Sequence, residues 1–158
     1  MKAASVAELK QELLAESKAR LTEICLRLAR FKKENKELLT YLLFEAHHPE
    51  DYIASVKAEM DEAFTAINSS SVYYIKKSLR KILRIANKYI RYCGLPAAEV
   101  EILLHFCRLF ADTGVDRSQY PVLENLWRNQ LKRIKKTLDS LHEDLQYEYK
   151  RTLKELTT

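Results

Sequence analysis

Apolar side chains return every third or fourth position through almost the whole of this 158-residue chain, and two glycines and three prolines are all that punctuate them. That rhythm is the period of an amphipathic helix, whereas a half-buried strand alternates by two. A β-sandwich or barrel needs a tight turn about every 8–12 residues. A nucleotide-binding α/β fold needs glycines where backbone approaches phosphate, and Gly94 and Gly114 serve neither purpose. The pattern therefore predicts an all-α chain of six or seven antiparallel helices, arranged as a helical bundle or as a short HEAT- or armadillo-like array of helical hairpins. A chain of this length can bury a conventional core without metal or disulfide staples, so residues 1–158 read as one all-helical domain.

Helix ends are legible from local chemistry. Ser5-Val6-Ala7-Glu8 has the spacing of a capping box ahead of Leu9, Leu13 and Leu14. Leu21, Ile24, Cys25, Leu28 and Phe31 form a second stripe, and Leu38, Leu39, Leu42 and Leu43 resume it after a charged run. A break near Lys33 would let these two stripes face each other, although neither Pro nor Gly marks it. Pro49 opens a helix over 49–67, Asn68-Ser69-Ser70-Ser71 closes it, and the last serine caps the next helix, 72–93. There Val72, Ile75, Leu79, Ile82, Leu83, Ala86 and Ile90 keep to one narrow face. Gly94 and Pro96 are stop and start signals, and the helix 96–112 is apolar on several sides, which predicts the most buried element. Pro121 opens the last segment. Unbroken over 121–156, it would be a protruding rod roughly 50 Å long; Ser140-Leu141-His142-Glu143 offers a kink near 140 into two antiparallel helices instead.

The net charge of +5 is segregated. Seven basic residues and no acid lie between Tyr73 and Cys93, and five more, again without an acid, lie between Arg128 and Lys136. On the helix 72–93, Lys77, Arg80, Lys81, Arg84, Lys88 and Arg91 would project together along about 20 Å, enough to follow several phosphates of a nucleic acid or another polyanion. Tyr73, Tyr74, Tyr89 and Tyr92 stand at its two ends, where they would stack bases or border the core. The plainer reading is a solvated face neutralised by acids of neighbouring helices, such as Glu59, Asp61 and Glu62.

Catalytic and metal chemistry find little to build on. His47 and His48 are adjacent and would point apart; His105 and Cys107, two apart, would lie on different sides of a helix. No nucleophile elbow, zinc-protease, CxxC or P-loop pattern is present, so no enzyme, cofactor or metal site is expected. Cys25, Cys93 and Cys107 are widely spaced among apolar neighbours and read as buried free thiols in a reducing cytoplasm. The first residues carry no apolar leader and no stretch approaches the ~20 apolar residues that span a bilayer, so a cytoplasmic chain without membrane contact is expected. The stripe from Trp127 to Leu145, continued by Tyr149, Leu153 and Leu156, packs either on its own chain or on a second copy.

The order of elements resembles an uncharacterised all-helical family of Bacteroidetes-type bacterial proteins. The likeness lies in a short capped helix, the block from Leu21 to Phe44 that contains ICLRLARFKKENKELLTYLLF, a helix opened by Pro49-Glu50-Asp51, and a lysine- and arginine-rich helix ending in Tyr92-Cys93-Gly94. The resemblance implies the all-helical fold; that family has no assigned activity, so no site residue comes with it. The expected function is a non-catalytic helical module that docks another protein or a second copy of itself, with nucleic-acid or polyanion binding through helix 73–93 as the alternative.

Overall fold

The computed structural model describes residues 1–157, and it is all-helical. Eight α-helices follow one another among the described residues, one or two more than the sequence pattern predicts: α1 (Val6–Ala15), α2 (Lys18–Phe31), α3 (Lys33–Thr40), α4 (Pro49–Thr65), α5 (Val72–Cys93), α6 (Pro96–Asp112), α7 (Pro121–Leu138) and α8 (Glu143–Thr157). A single π-helical turn, Tyr41–Glu45, follows α3, and a 3₁₀ turn, Arg117–Gln119, precedes α7. Two compact units divide the chain, Met1–Phe44 and Glu45–Thr158.

Local chemistry sets the boundaries. All three prolines occupy the first turn of a helix, at the heads of α4, α6 and α7, where the missing N–H costs nothing. Ser5 and Glu8 close the capping box on α1: the Ser5 amide donates to Glu8 at 2.7 Å and the Glu8 amide to Ser5 Oγ at 3.3 Å. The Ser5 hydroxyl, which also donates to Glu8 at 2.7 Å, and the Ser5 amide together hold the Glu8 carboxyl below the usual range. Ser17 and Ser71 accept from the backbone at the starts of α2 and α5. Gly94 ends α5 in the left-handed conformation, with φ of 62°, and its amide donates to the Ile90 carbonyl. The chain breaks at Lys32, whose extended backbone separates α2 from α3 without help from Pro or Gly. It breaks again near residue 140, into α7 and α8, but not by a second capping box. Ser140 Oγ donates back to the Thr137 carbonyl at 2.6 Å, so this serine finishes α7, and α8 begins at Glu143.

In the larger unit α6 is the axis. It packs against α4, α5, α7 and α8. Val100, Ile102, Leu103, Phe106, Cys107 and Phe110 are all fully buried on it, which explains why its apolar residues are not confined to one face. Phe106 meets Phe64 and Phe110 edge to face, and Phe110 meets Trp127 likewise, at centroid distances of 5.7–6.2 Å. The α5 stripe foreseen from sequence faces this core: Ile75, Leu79, Ile82, Ala86 and Ile90 are buried. The C-terminal stripe is largely buried too, through Trp127, Ile134, Leu138, Tyr149 and Leu153.

The smaller unit is built differently. α2 and α3 form a hairpin, yet Ala29 and Tyr41 are its only buried residues. α1 buries nothing. Leu26, Leu28, Phe31, Leu42, Leu43 and Phe44 all stay exposed.

Candidate functional site

Two surfaces and one polar cluster are candidates, and the first is the basic face of α5. Because the opposite side of α5 is committed to the core, helical periodicity turns Lys77, Arg80, Lys81, Arg84, Lys88 and Arg91 into one arc of about 100°. All are exposed except Lys88, which is half-buried and lies 4.9 Å from the Tyr89 ring centroid and 5.9 Å from that of Tyr92. Tyr73 joins Lys76, Lys77, Arg80, Lys81 and Arg84 around a shallow concavity at the start of the helix.

Two of the three acids expected to neutralise this face are engaged elsewhere. Glu59 accepts the Tyr89 hydroxyl at 2.7 Å, and Asp61 meets His105 Nε2 at 2.6 Å. Glu62 pairs with none of the described residues. Among the described residues, Lys77, Arg80, Lys81, Arg84 and Arg91 form no ion pair either. Like charges at i, i+3 and i, i+4 repel by a few tenths of a kcal/mol per pair, a cost that any bound polyanion would remove. The second basic run contrasts with this one. On α7, Arg133 reaches Glu99 of α6 and Asn87 of α5 and so ties three helices together, while Arg128 pairs with Glu124 along its own helix.

The second surface lies on the α2–α3 hairpin. Leu26, Ala29, Leu39, Leu43 and Phe44 line an open groove whose rim carries Arg30, Lys32, Lys33 and Lys36 and no acid. Lys33 leans toward Glu37 at 3.6 Å along its own helix but is itself almost fully exposed. On the hairpin's other side Cys25 joins Leu28, Leu38 and Leu42. Cys25 is exposed, contrary to the expectation of a buried thiol, because no further layer of this unit covers that side. Cys93 is half-buried and Cys107 fully buried; burial pushes the Cys107 thiol up to about 12, which leaves it an inert packing group.

The polar cluster joins α4, α6 and α8. Lys57 Nζ lies 2.8 Å from Glu101, and the Tyr149 hydroxyl donates to the other Glu101 oxygen at 2.7 Å. Burial pushes the Glu101 carboxyl up, but the hydrogen bonds from Lys57 and Tyr149 outweigh it and hold the group below its ordinary range. The Tyr149 hydroxyl is pushed up by burial and by the Glu101 carboxylate. Both Glu101 oxygens are thereby occupied, and the cluster is an interhelical tie with no free acid, base or nucleophile to offer. Nothing in the local sequence signals it, since its members lie 44 and 48 residues apart. No group of three metal-ligating side chains occurs among the described residues. Among the described residues no helix is long and apolar enough to cross a membrane.

No family model matches the chain, and no curated protein or solved structure matches it either.

Proposed function

We propose that the chain is a non-catalytic interaction protein that docks helical partners on its N-terminal unit. One observation carries this reading: three short helices and the π-helical turn after them present Leu9, Leu13, Leu14, Leu26, Leu28, Phe31, Leu42, Leu43 and Phe44 to solvent while burying only Ala29 and Tyr41. Helices of 10, 14 and 8 residues are marginal alone in water and draw their stability from a packed apolar face. Such a face left open is the composition of an interface and not of a monomer surface. The test is a photo-crosslinking side chain placed at Leu43 and, as a control, at exposed Arg151, in cells making the protein. Adducts formed from position 43 and not from position 151 support the reading; no adduct from position 43 overturns it.

A second reading, polyanion binding by Lys77, Arg80, Lys81, Arg84, Lys88 and Arg91, is favoured by the exposure of Lys77, Arg80, Lys81, Arg84 and Arg91, which form no ion pair among the described residues. With six phosphate contacts, affinity for random single-stranded RNA would fall with a log–log salt slope of about −4. Reversing charge at Arg80, Arg84 and Lys88 would abolish retention. No retention at low salt removes this reading.

A further inference from the structure

We infer that the groove of the α2–α3 hairpin is filled by α1 of a second copy, and that two chains exchange their first helices. This rests on the reading of the N-terminal unit as a docking surface and names its occupant.

The charges match. The groove has an apolar floor and a rim of Arg30, Lys32, Lys33 and Lys36 without an acid. A hairpin from another copy would bring the same basic rim against this one, so hairpin-to-hairpin pairing is disfavoured. α1 has the opposite character. Leu9 and Leu13 are one turn apart, Glu8 and Glu12 lie four apart along one edge of the apolar stripe, and Glu16 follows at the C-cap just past the helix, against a single Lys10. α1 is folded, capped at Ser5 and entirely unburied, so it is an acidic amphipathic helix with no surface to cover.

Geometry favours the second copy over the chain's own α1. Only Glu16 and Ser17 separate α1 from α2. Folded back antiparallel, the ten residues of α1 would cover about 15 Å and lie mainly along the first half of α2. Its first turn alone would reach the level of Leu26, and Glu12 and Glu16 would stay far from Lys32 and Lys36. From a second chain the whole helix can enter the groove and bring both glutamates to the rim. The exchange is reciprocal, so the contact occurs twice and closes as a two-fold dimer.

Sedimentation equilibrium of the full chain from about 1 to 200 μM tests this, a range in which an interface of modest size associates. Dimers are expected. Leu9→Asp with Leu13→Asp is expected to leave monomers; neither leucine is buried, so folding is preserved. Glu12→Lys with Glu16→Lys should weaken association at least tenfold, as should Lys32→Glu with Lys36→Glu, and the four changes together should restore it. A dimer indifferent to Leu9 and Leu13, or a four-fold variant as weak as either pair, overturns the proposal. So does a monomer at every concentration. In that case adducts of another protein at position 43, or binding of the chain to anionic phosphatidylserine vesicles, would identify a different occupant. Adducts would leave the broader docking reading standing, and the absence of any adduct would remove both.

Discussion

The two units of this chain use the same helical grammar to opposite ends. In Glu45–Thr158, α6 is enclosed by four other helices, and ion pairs tie helix to helix, Lys57 to Glu101 and Arg133 to Glu99, beside pairs within one helix such as Arg128 with Glu124. In Met1–Phe44 a single hairpin has nothing to enclose, and its ion pairs, Arg20 with Glu23 and Lys33 with Glu37, stay within one helix. Amphipathicity is equally plain in both. What separates a core from an interface is the number of helical layers available to cover a stripe, and that is a property of the assembled fold rather than of any one helix.

Local stability should differ most. Opening α6 requires unfolding the larger unit, whereas α1 opens without exposing any buried residue, so its amides should exchange at nearly unfolded rates in dilute protein. Hydrogen exchange should separate α6 from α1 by at least about 10³-fold, the factor set by a global stability of 5 kcal/mol or more. Protection of α1 that is as strong as α6 at low concentration would break the contrast. Substitution should show the same divide at smaller scale. Phe106 is fully buried against Phe64 and Phe110, and Phe106→Ala should cost about 4 kcal/mol in thermal or urea unfolding. Leu28→Ala, at a side chain 55% exposed, should change it by less than about 0.5 kcal/mol.

Much of this architecture is readable from sequence because its signals are local. Pro49, Pro96 and Pro121 open helices, Ser5 and Ser71 cap them, Gly94 ends one, and the buried side of α5 follows from spacing alone. The break expected near Lys33 falls at Lys32, on extended backbone without a breaker residue, and the helix count comes out higher because the break near 140 gives two helices where one rod was equally compatible. Ser140 fits a capping pattern but bonds backward, since a hydroxyl can serve the carbonyl of a finishing helix as well as the amide of a starting one. The basic arc of α5 was legible; the engagement of Glu59 and Asp61 away from it was not, because that depends on Tyr89 and His105, distant in sequence from them. The open groove of the hairpin had one visible sign, Leu26, which lies well round α2 from Leu21, Ile24 and Leu28 and therefore belongs to a second apolar side.

The interhelical ties give a pH-dependent version of the same comparison. Glu101 is held below its ordinary range in the folded chain, so its contribution is complete above the ordinary glutamate value and drains away as pH falls through the lowered one. Glu101→Ala should cost about 2 kcal/mol near neutral pH, between the values for exposed and fully buried pairs, because Lys57 and Tyr149 both lose their acceptor. Glu101→Gln should cost less and should flatten the acid side of the stability curve. An unchanged acid slope in that variant would mean that another carboxylate carries it.

Smallest of all should be the effect of the hairpin's own ion pairs. Arg20 and Glu23 meet at 3.0 Å, but their side chains are 57% and 68% exposed, and they sit one turn apart on a helix that would hold its shape without them. Water screens the attraction and two long side chains lose rotamer freedom to make it, so Glu23→Gln should change stability by less than about 0.5 kcal/mol. Salt sharpens the distinction. At about 1 M ionic strength the screening length falls to roughly 3 Å, and the Glu23 effect should vanish. The Glu101 effect should largely survive, because Tyr149 donates a hydrogen bond that salt does not screen and Lys57 is half-shielded from solvent. Equal salt sensitivity at the two glutamates would show that the larger unit's ties are as solvated as the hairpin's, and that apolar enclosure around α6 alone distinguishes the two regions.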